Sequence, residues 1–284
     1  MFNYLLYRLG QKIALALPLI LGYKFAEFIS DVRLLFAPQD RRAVYENLRV
    51  IFPKKTKKEI LRIQRNLFRN FAKYLVDFFR FEKLDLQYLK EKIRLLNLNY
   101  LDKARSCGKG VIVLTAHLGN WELGGVVLAI LGYPFWAVTL PHKDKKVDDF
   151  FNFQRQSKGV KVIHLGKAVK TILDVIKNRE LIALVGDRDF TEKGVISDFF
   201  GKPAMFPQGP AALSLKTGAV IVPGFMLRNR DDTFTLSIEK PLEFKASGSR
   251  EKDLQELIRQ YTAIFEDYIR RFPEQWYMFR RFWK

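Results

Sequence analysis

At 284 residues, 48% of them hydrophobic, the chain is long enough to bury a sizeable core and too apolar to be disordered. Its 49 lysines and arginines against 30 acidic residues leave a net charge of +19, which calls for an anionic partner: nucleic acid, anionic lipid, or an acidic protein or substrate. Cys107 is the single cysteine, which excludes an intrachain disulfide and fits a reducing compartment.

From the N-terminus, the segment "IALALPLILGY" (13–23) holds eleven uncharged residues between Lys12 and Lys24. A bilayer span takes about 20 apolar residues, so this core is too short to cross alone. The wider window from Tyr4 to Ile29 carries Arg8, Lys12, Lys24 and Glu27. Residues 1–30 therefore read as a membrane-associating segment lying in the interface, ahead of a buried helix or a cleaved signal. Aromatics beside cations, as in "FFRFEK" and "YMFRRFWK", suit the headgroup zone of a membrane and also single-stranded nucleic acid.

Residues 31–105 read as helical. Thr56 and Glu59 match a capping box, and Ile60, Ile63, Leu67, Phe71, Tyr74 and Phe78 recur behind them at helical spacing. Arg62, Arg65, Arg69, Lys73 and Arg80 make a basic stripe on another face of this helix, either solvated or turned to phosphate or membrane.

Residues 106–284 read as an α/β core continuous with the helical region. Candidate strands are 111–116, 134–140, 161–165, 181–187 and 219–227, with helices at 168–178 and 209–217 and a closing helix at 250–271. Near-continuous apolar strands alternating with helices imply a mostly parallel sheet covered on both faces. "TFTLSIEKPL" (233–242) alternates better and reads as an edge strand.

The stretch "VIVLTAHLGNWELGG" (111–125) carries the chemistry. In an open α/β sheet, function gathers at the carboxyl ends of strands, where His117 falls. A turn at Gly119 and Asn120 leads to a helix with Glu122 in its first turns. Folding back at i+5 brings that carboxylate against the imidazole, where it holds one tautomer and lets the histidine act as general base. No Gly-x-Ser-x-Gly is present and Cys107 lies upstream of the strand, so the nucleophile is a hydroxyl of the substrate. His142 reads as a loop residue and His164 as a strand residue. No metal or redox cofactor is called for: paired-ligand spacing and a dinucleotide fingerprint are both missing. Asp187 and Asp189, flanking Arg188, read as an ion-paired turn.

A histidine, four residues and an acidic residue at a strand end resembles the HX4D/E signature of glycerolipid and lysophospholipid acyltransferases. "AHLGNWELGG" more specifically resembles the bacterial lipid A acyltransferase family. "ENLRVIFP" (46–53), "FQRQSKGVKVI" (153–163), "LVGDRDF" (184–190), "DFFGKPAMFPQGPAALSLKTGAVIVP" (198–223) and "PEQWYMFRRFWK" (273–284) resemble further segments of that family, in order along most of the chain.

The resemblance implies a glycerolipid acyltransferase-like fold with His117 as general base and Glu122 orienting it. It makes Arg155 a functional arginine and puts Asp187 in the role of the acidic residue after a strand. The acceptor hydroxyl attacks the thioester of acyl-carrier protein or coenzyme A. Amides near Gly119 and Asn120, or Arg155, stabilise the oxyanion. Arg155 and Arg188 alternatively hold a phosphate. The implied partners are anionic membrane lipids, the thioester donor and a glycolipid acceptor, on the cytoplasmic face of the inner membrane. A lysophospholipid acceptor stays open. Nucleic acid is not expected, because no recognition module is present. The competing classes are a basic nucleic-acid-binding protein and a non-catalytic lipid binder of the same fold.

Overall fold

Pro18 cannot continue a helix that has already turned through residues 13–17, so the apolar N-terminal segment breaks in two. In the computed structural model, which describes residues 2–166, 169–190 and 193–283, α1 spans Phe2–Ala16 and α2 spans Leu19–Phe36. No described helix is long and apolar enough to cross a membrane. After α3 (Pro38–Ile51), Thr56 caps α4 (Lys57–Phe79) through the reciprocal Thr56–Glu59 box. Ile60, Leu67 and Phe78 on α4 are buried, each contributing about 1.5–3 kcal/mol by removal from water.

Apart from Arg62, which is exposed, the basic stripe on α4 is neither free nor simply solvated. Arg65 and Arg69 both clasp Asp31 of α2, and Lys73 reaches Glu27 of α2 and Asp232. Arg80 donates to the carbonyls of Ala14 and Leu17 at the break between α1 and α2. The stripe thus fastens the two N-terminal helices to the rest of the molecule. The paired guanidinium bonds hold Asp31 well below the usual carboxylate range.

Beyond α5 (Leu86–Lys92) come β1 (Ile93–Leu96), α6 (Asn99–Ser106), β2 (Val111–Thr115), α7 (Trp121–Ile130), β3 (Phe135–Thr139), α8 (Lys145–Gln156) and β4 (Lys161–His164). Then follow α9 (Val169–Lys177), β5 (Leu181–Val185), the β6 (Val195–Phe199)–β7 (Lys202–Phe206) hairpin, α10 (Gly209–Thr217), β8 (Val220–Arg228), β9 (Phe234–Ile238) and α11 (Arg250–Arg271). Residue 168 of the expected helix and Lys284 of the C-terminal motif lie outside the described residues.

The main sheet has the order β1-β9-β8-β2-β5-β3-β4 and is parallel except where β9 turns back against β8. Side chains alternate between its faces. Ile112, Leu114 and Ile182 join one core with α9 and α11; Val111, Val113 and Leu181 join the other with α6, α7 and α8. Two features depart from the sequence reading. β9, expected at an edge, is covered by β1, which lies inside the stretch expected to be helical and forms the edge on that side. The β6–β7 hairpin turns on Phe200 and Gly201, both at positive φ, the type I′ geometry that suits strand twist.

Candidate active site

The register of β2 on β5 sets the site. Thr115 pairs with Val185, and the amide of Gly186 donates to the carbonyl of Thr115 at 2.8 Å. Two residues further, at the carboxyl ends of both strands, His117 and Asp187 face each other. Asp187 Oδ1 lies 2.6 Å from His117 Nδ1, and Oδ2 accepts the His117 backbone amide at 3.0 Å. Trp276 Nε1 donates to the same Oδ2 at 3.0 Å. Asp187 is wholly buried. Burial pushes its carboxyl up, but His117, Arg188 and the Trp276 bond together outweigh that and hold it at about 2.

An ionised carboxylate only accepts, so the proton between them sits on Nδ1, and in the neutral ring Nε2 is the free acceptor. Among the described residues nothing hydrogen-bonds to Nε2. The His117 side chain retains 16% of its exposure, and its ring meets Trp121 edge to face at 5.0 Å. This arrangement suits a base reached from one side only.

Sequence reasoning assigned the imidazole's carboxylate to Glu122, and the geometry corrects this. Glu122 is gripped by Arg155 at 2.6 and 2.8 Å in a bidentate pair. Arg155 Nη1 donates to Asn152 Oδ1 at 3.0 Å. The guanidinium lies against the rings of Phe78 and Phe151. Glu122 opens α7 and Arg155 ends α8, so the pair ties those helices together at the carboxyl end of the sheet. Both side chains are nearly buried. Three of the five Arg155 donors are thus held by Glu122 and Asn152, which anchors the guanidinium in place.

The turn amides expected at the oxyanion are spent. The Gly119 amide donates to the Gln275 carbonyl at 2.9 Å and the Asn120 amide to the Met226 carbonyl at 2.7 Å. Asn120 instead caps α7, its Oδ1 accepting from Leu123, while its Nδ2 donates to Asp77 at 3.0 Å. Gly119 is required by its φ of +64° and by the Met226 carbonyl, which a Cβ would meet at 2.0 Å. Arg188 donates to the Tyr277 carbonyl, and its Nε is buried without a hydrogen-bond partner among the described residues. Asp189 accepts from the Gly194 amide. His142 is an exposed loop residue and His164 the exposed end of β4.

Several neighbours of the site were not legible from the sequence. The segment 275–277 pairs with 117–119, through Gln275, a Leu118–Trp276 bridge and the Tyr277 amide on the His117 carbonyl. Asp77, fully buried, gathers the Tyr23 hydroxyl, Asn120 and the Arg228 guanidinium. Burial raises its carboxyl against the pull of Arg228. A cavity of about 60 Å³ adjoins Glu122 and Arg155, walled by apolar residues of β3 and β5 such as Ala137 and Val185.

The family model described as bacterial lipid A biosynthesis acyltransferase matches residues 2–284. A phosphatidylinositol mannoside acyltransferase of Mycolicibacterium smegmatis is 28% identical over 218 residues, 75% of this chain and 70% of that protein. One from Mycobacterium tuberculosis is 30% identical over 160 residues, 54% of this chain and about half (51%) of that protein. A lipid A biosynthesis acyltransferase of Haemophilus influenzae is 22% identical over 271 residues, 95% of this chain and 80% of that protein.

Proposed function

This chain belongs to the bacterial lipid A biosynthesis acyltransferase family and is an acyltransferase, and we propose that it moves a fatty acyl chain from a thioester to a hydroxyl of a glycolipid. The observation that carries the mechanism is the His117–Asp187 contact at 2.6 Å, with Nε2 unengaged. His117 Nε2 takes the proton of the acceptor hydroxyl as its oxygen attacks the thioester carbonyl. Asp187 holds the ring and balances the imidazolium. The tetrahedral intermediate collapses, the C–S bond breaks, and the imidazolium returns the proton to the departing thiolate. Arg188, whose charge lies close to Asp187, supplies the positive potential for the oxyanion in this reading. Glu122 acts through Arg155 on the placement of α7, not on the imidazole.

The donor in this reading is acyl-carrier protein or coenzyme A, and the acceptor a lipid A precursor or a phosphatidylinositol mannoside, the classes that the relatives' names carry. The acyl tail is placed against the apolar wall of β3 and β5. The existing cavity of about 60 Å³ must widen there, since small-molecule sites run to about 300–1,000 Å³.

Membrane attachment through α1 and α2 is part of the proposal. Eleven of the 21 large hydrophobics exposed among the described residues lie on these two helices. Leu21, Phe25, Phe28, Val32 and Leu35 follow one face of α2, with Lys24 and Arg33 beside them. A stripe of this kind with flanking cations suits an anionic monolayer. Thioester donors place the reaction on the cytoplasmic face of the inner membrane.

The test is acyl transfer by the purified full chain from both thioesters to a lipid A precursor, a phosphatidylinositol mannoside and lysophospholipids. Transfer to one glycolipid, lost in His117→Ala and Asp187→Asn, is the expected result. Transfer that survives His117→Ala removes the mechanism.

A further inference from the structure

Next to the site lies a second, larger concavity that the mechanism does not use. It encloses about 610 Å³ between one face of α4, the β8–β9 turn and Glu274–Gln275, well within the size range of small-ligand sites. Its lining is polar. Three of its cations are already committed: Arg69 to Asp31, Lys73 to Glu27 and Asp232, and Arg228 to Asp77 and Asp232. Two are not. Arg62 on α4 and Arg230 in the β8–β9 turn are exposed and have no ion pair or side-chain hydrogen bond among the described residues. They face the same cleft from different elements.

The remaining lining complements them. Asn66 and Asn70 add amide groups, the latter donating to the Glu274 carbonyl. The Glu274 carboxyl is pushed up by burial, against the pull of Arg230 across the cleft. Unpaired guanidinium forks favour phosphate, and clustered amides and a carboxyl favour ring hydroxyls.

Position supports the same ligand. Glu274 in the cleft wall runs directly into Gln275, Trp276 and Tyr277, which hold Gly119, Asp187 and His117. Glu27, also in the wall, belongs to α2, the helix with the exposed apolar stripe. The cleft therefore shares Gln275 with the segment that holds the base, and shares Glu27 with the helix proposed to meet the lipid surface.

We infer that this cleft binds the phosphate-bearing, polyhydroxylated headgroup of the acceptor lipid, with Arg62 and Arg230 on the phosphate and Asn66, Asn70 and Glu274 on the sugar. The inference rests on the reading that His117 activates a hydroxyl of that lipid.

A binding experiment that needs no catalysis separates the two. The full chain carrying His117→Ala is titrated with phosphatidylcholine vesicles containing a phosphorylated disaccharide glycolipid, the same glycolipid without phosphate, or phosphatidylglycerol at matched charge. The expected result is a preference of at least about tenfold for the phosphorylated glycolipid, abolished by Arg62→Ala with Arg230→Ala, while phosphatidylglycerol binding changes less than about twofold. A preference that survives both substitutions, or an equal loss on phosphatidylglycerol, overturns the site. Glucose 1-phosphate binding as tightly as the glycolipid vesicles overturns the lipid assignment in favour of a free sugar phosphate. In transfer assays with His117 intact, the double variant raises KM for the acceptor by about tenfold and leaves kcat within about twofold. Absence of transfer by the unsubstituted chain, with the binding preference present, sinks the hydroxyl-activation reading and upholds the cleft.

Discussion

Asp187 holds His117 at two points, 70 residues away in sequence, through the ring nitrogen Nδ1 at 2.6 Å and the backbone amide at 3.0 Å. The double contact fixes the ring, its tautomer and the strand end that carries it. Asp187→Asn keeps the shape but places a neutral amide opposite Nδ1, so the proton no longer has a charged acceptor to hold it there. We expect kcat to fall by about a hundred- to ten-thousand-fold, with KM for both substrates within about threefold. Steady-state transfer kinetics on the full chain read this directly. A loss confined to KM means that Asp187 serves binding.

The same carboxylate makes stability depend on pH in the acid range. Its folded value of about 2 lies below its ordinary 3.8, so its contribution is fully present above 3.8 and is lost as pH falls through 2. That difference corresponds to about 2 kcal/mol. Asp187→Asn is therefore expected to unfold more easily at pH 7 by about that amount, and to show a flatter stability profile between about pH 4 and about pH 2. Urea titrations across that window measure both effects. An unchanged slope removes Asp187 from the acid response.

Glu122 and Arg155 form a buried ion pair, and such pairs are costly to break from one side. Glu122→Gln leaves a buried guanidinium without its counter-charge and is expected to cost about 3–5 kcal/mol. Glu122→Gln with Arg155→Met removes the orphan and is expected to recover most of that loss. If Glu122 acts only on the placement of α7, the double variant also keeps a higher kcat than Asp187→Asn. Chemical denaturation and transfer rates on the three variants decide it; a double variant as inactive as Asp187→Asn puts Glu122 on the reacting atoms.

What was legible in the sequence was local. The Thr56–Glu59 box announces α4 because both capping partners lie within one turn. The apolar run 111–115 announces a buried parallel strand, and His117 stands out where it ends. The partner of His117 was not derivable from spacing, because it depends on the register of β2 against β5. Resemblance singled out Asp187 without saying what it touches, and proximity in sequence pointed to Glu122 instead. Turn amides at Gly119 and Asn120 looked free because the segments that consume them, around Met226 and Gln275, lie more than a hundred residues away. β1 escaped notice because four residues are too few to display a period.

The apolar stripe on α2 makes the last prediction. Phe25 and Phe28 are 45% and 63% exposed, so they contribute little to the folded core. In a monolayer each is worth up to about 1.5–3 kcal/mol of transferred apolar surface. Phe25→Ser with Phe28→Ser is therefore expected to weaken partitioning onto anionic vesicles by about a hundredfold, with the thermal unfolding midpoint unchanged. Transfer from thioester to an acceptor dispersed in detergent should persist, because neither residue touches His117 or Asp187, while transfer to the same acceptor in vesicles should fall with partitioning. Vesicle flotation paired with the two assays distinguishes the cases. Equal losses in detergent and on vesicles would show that the stripe supports the fold and not the lipid surface, and unaltered flotation would move the point of attachment elsewhere on the molecule.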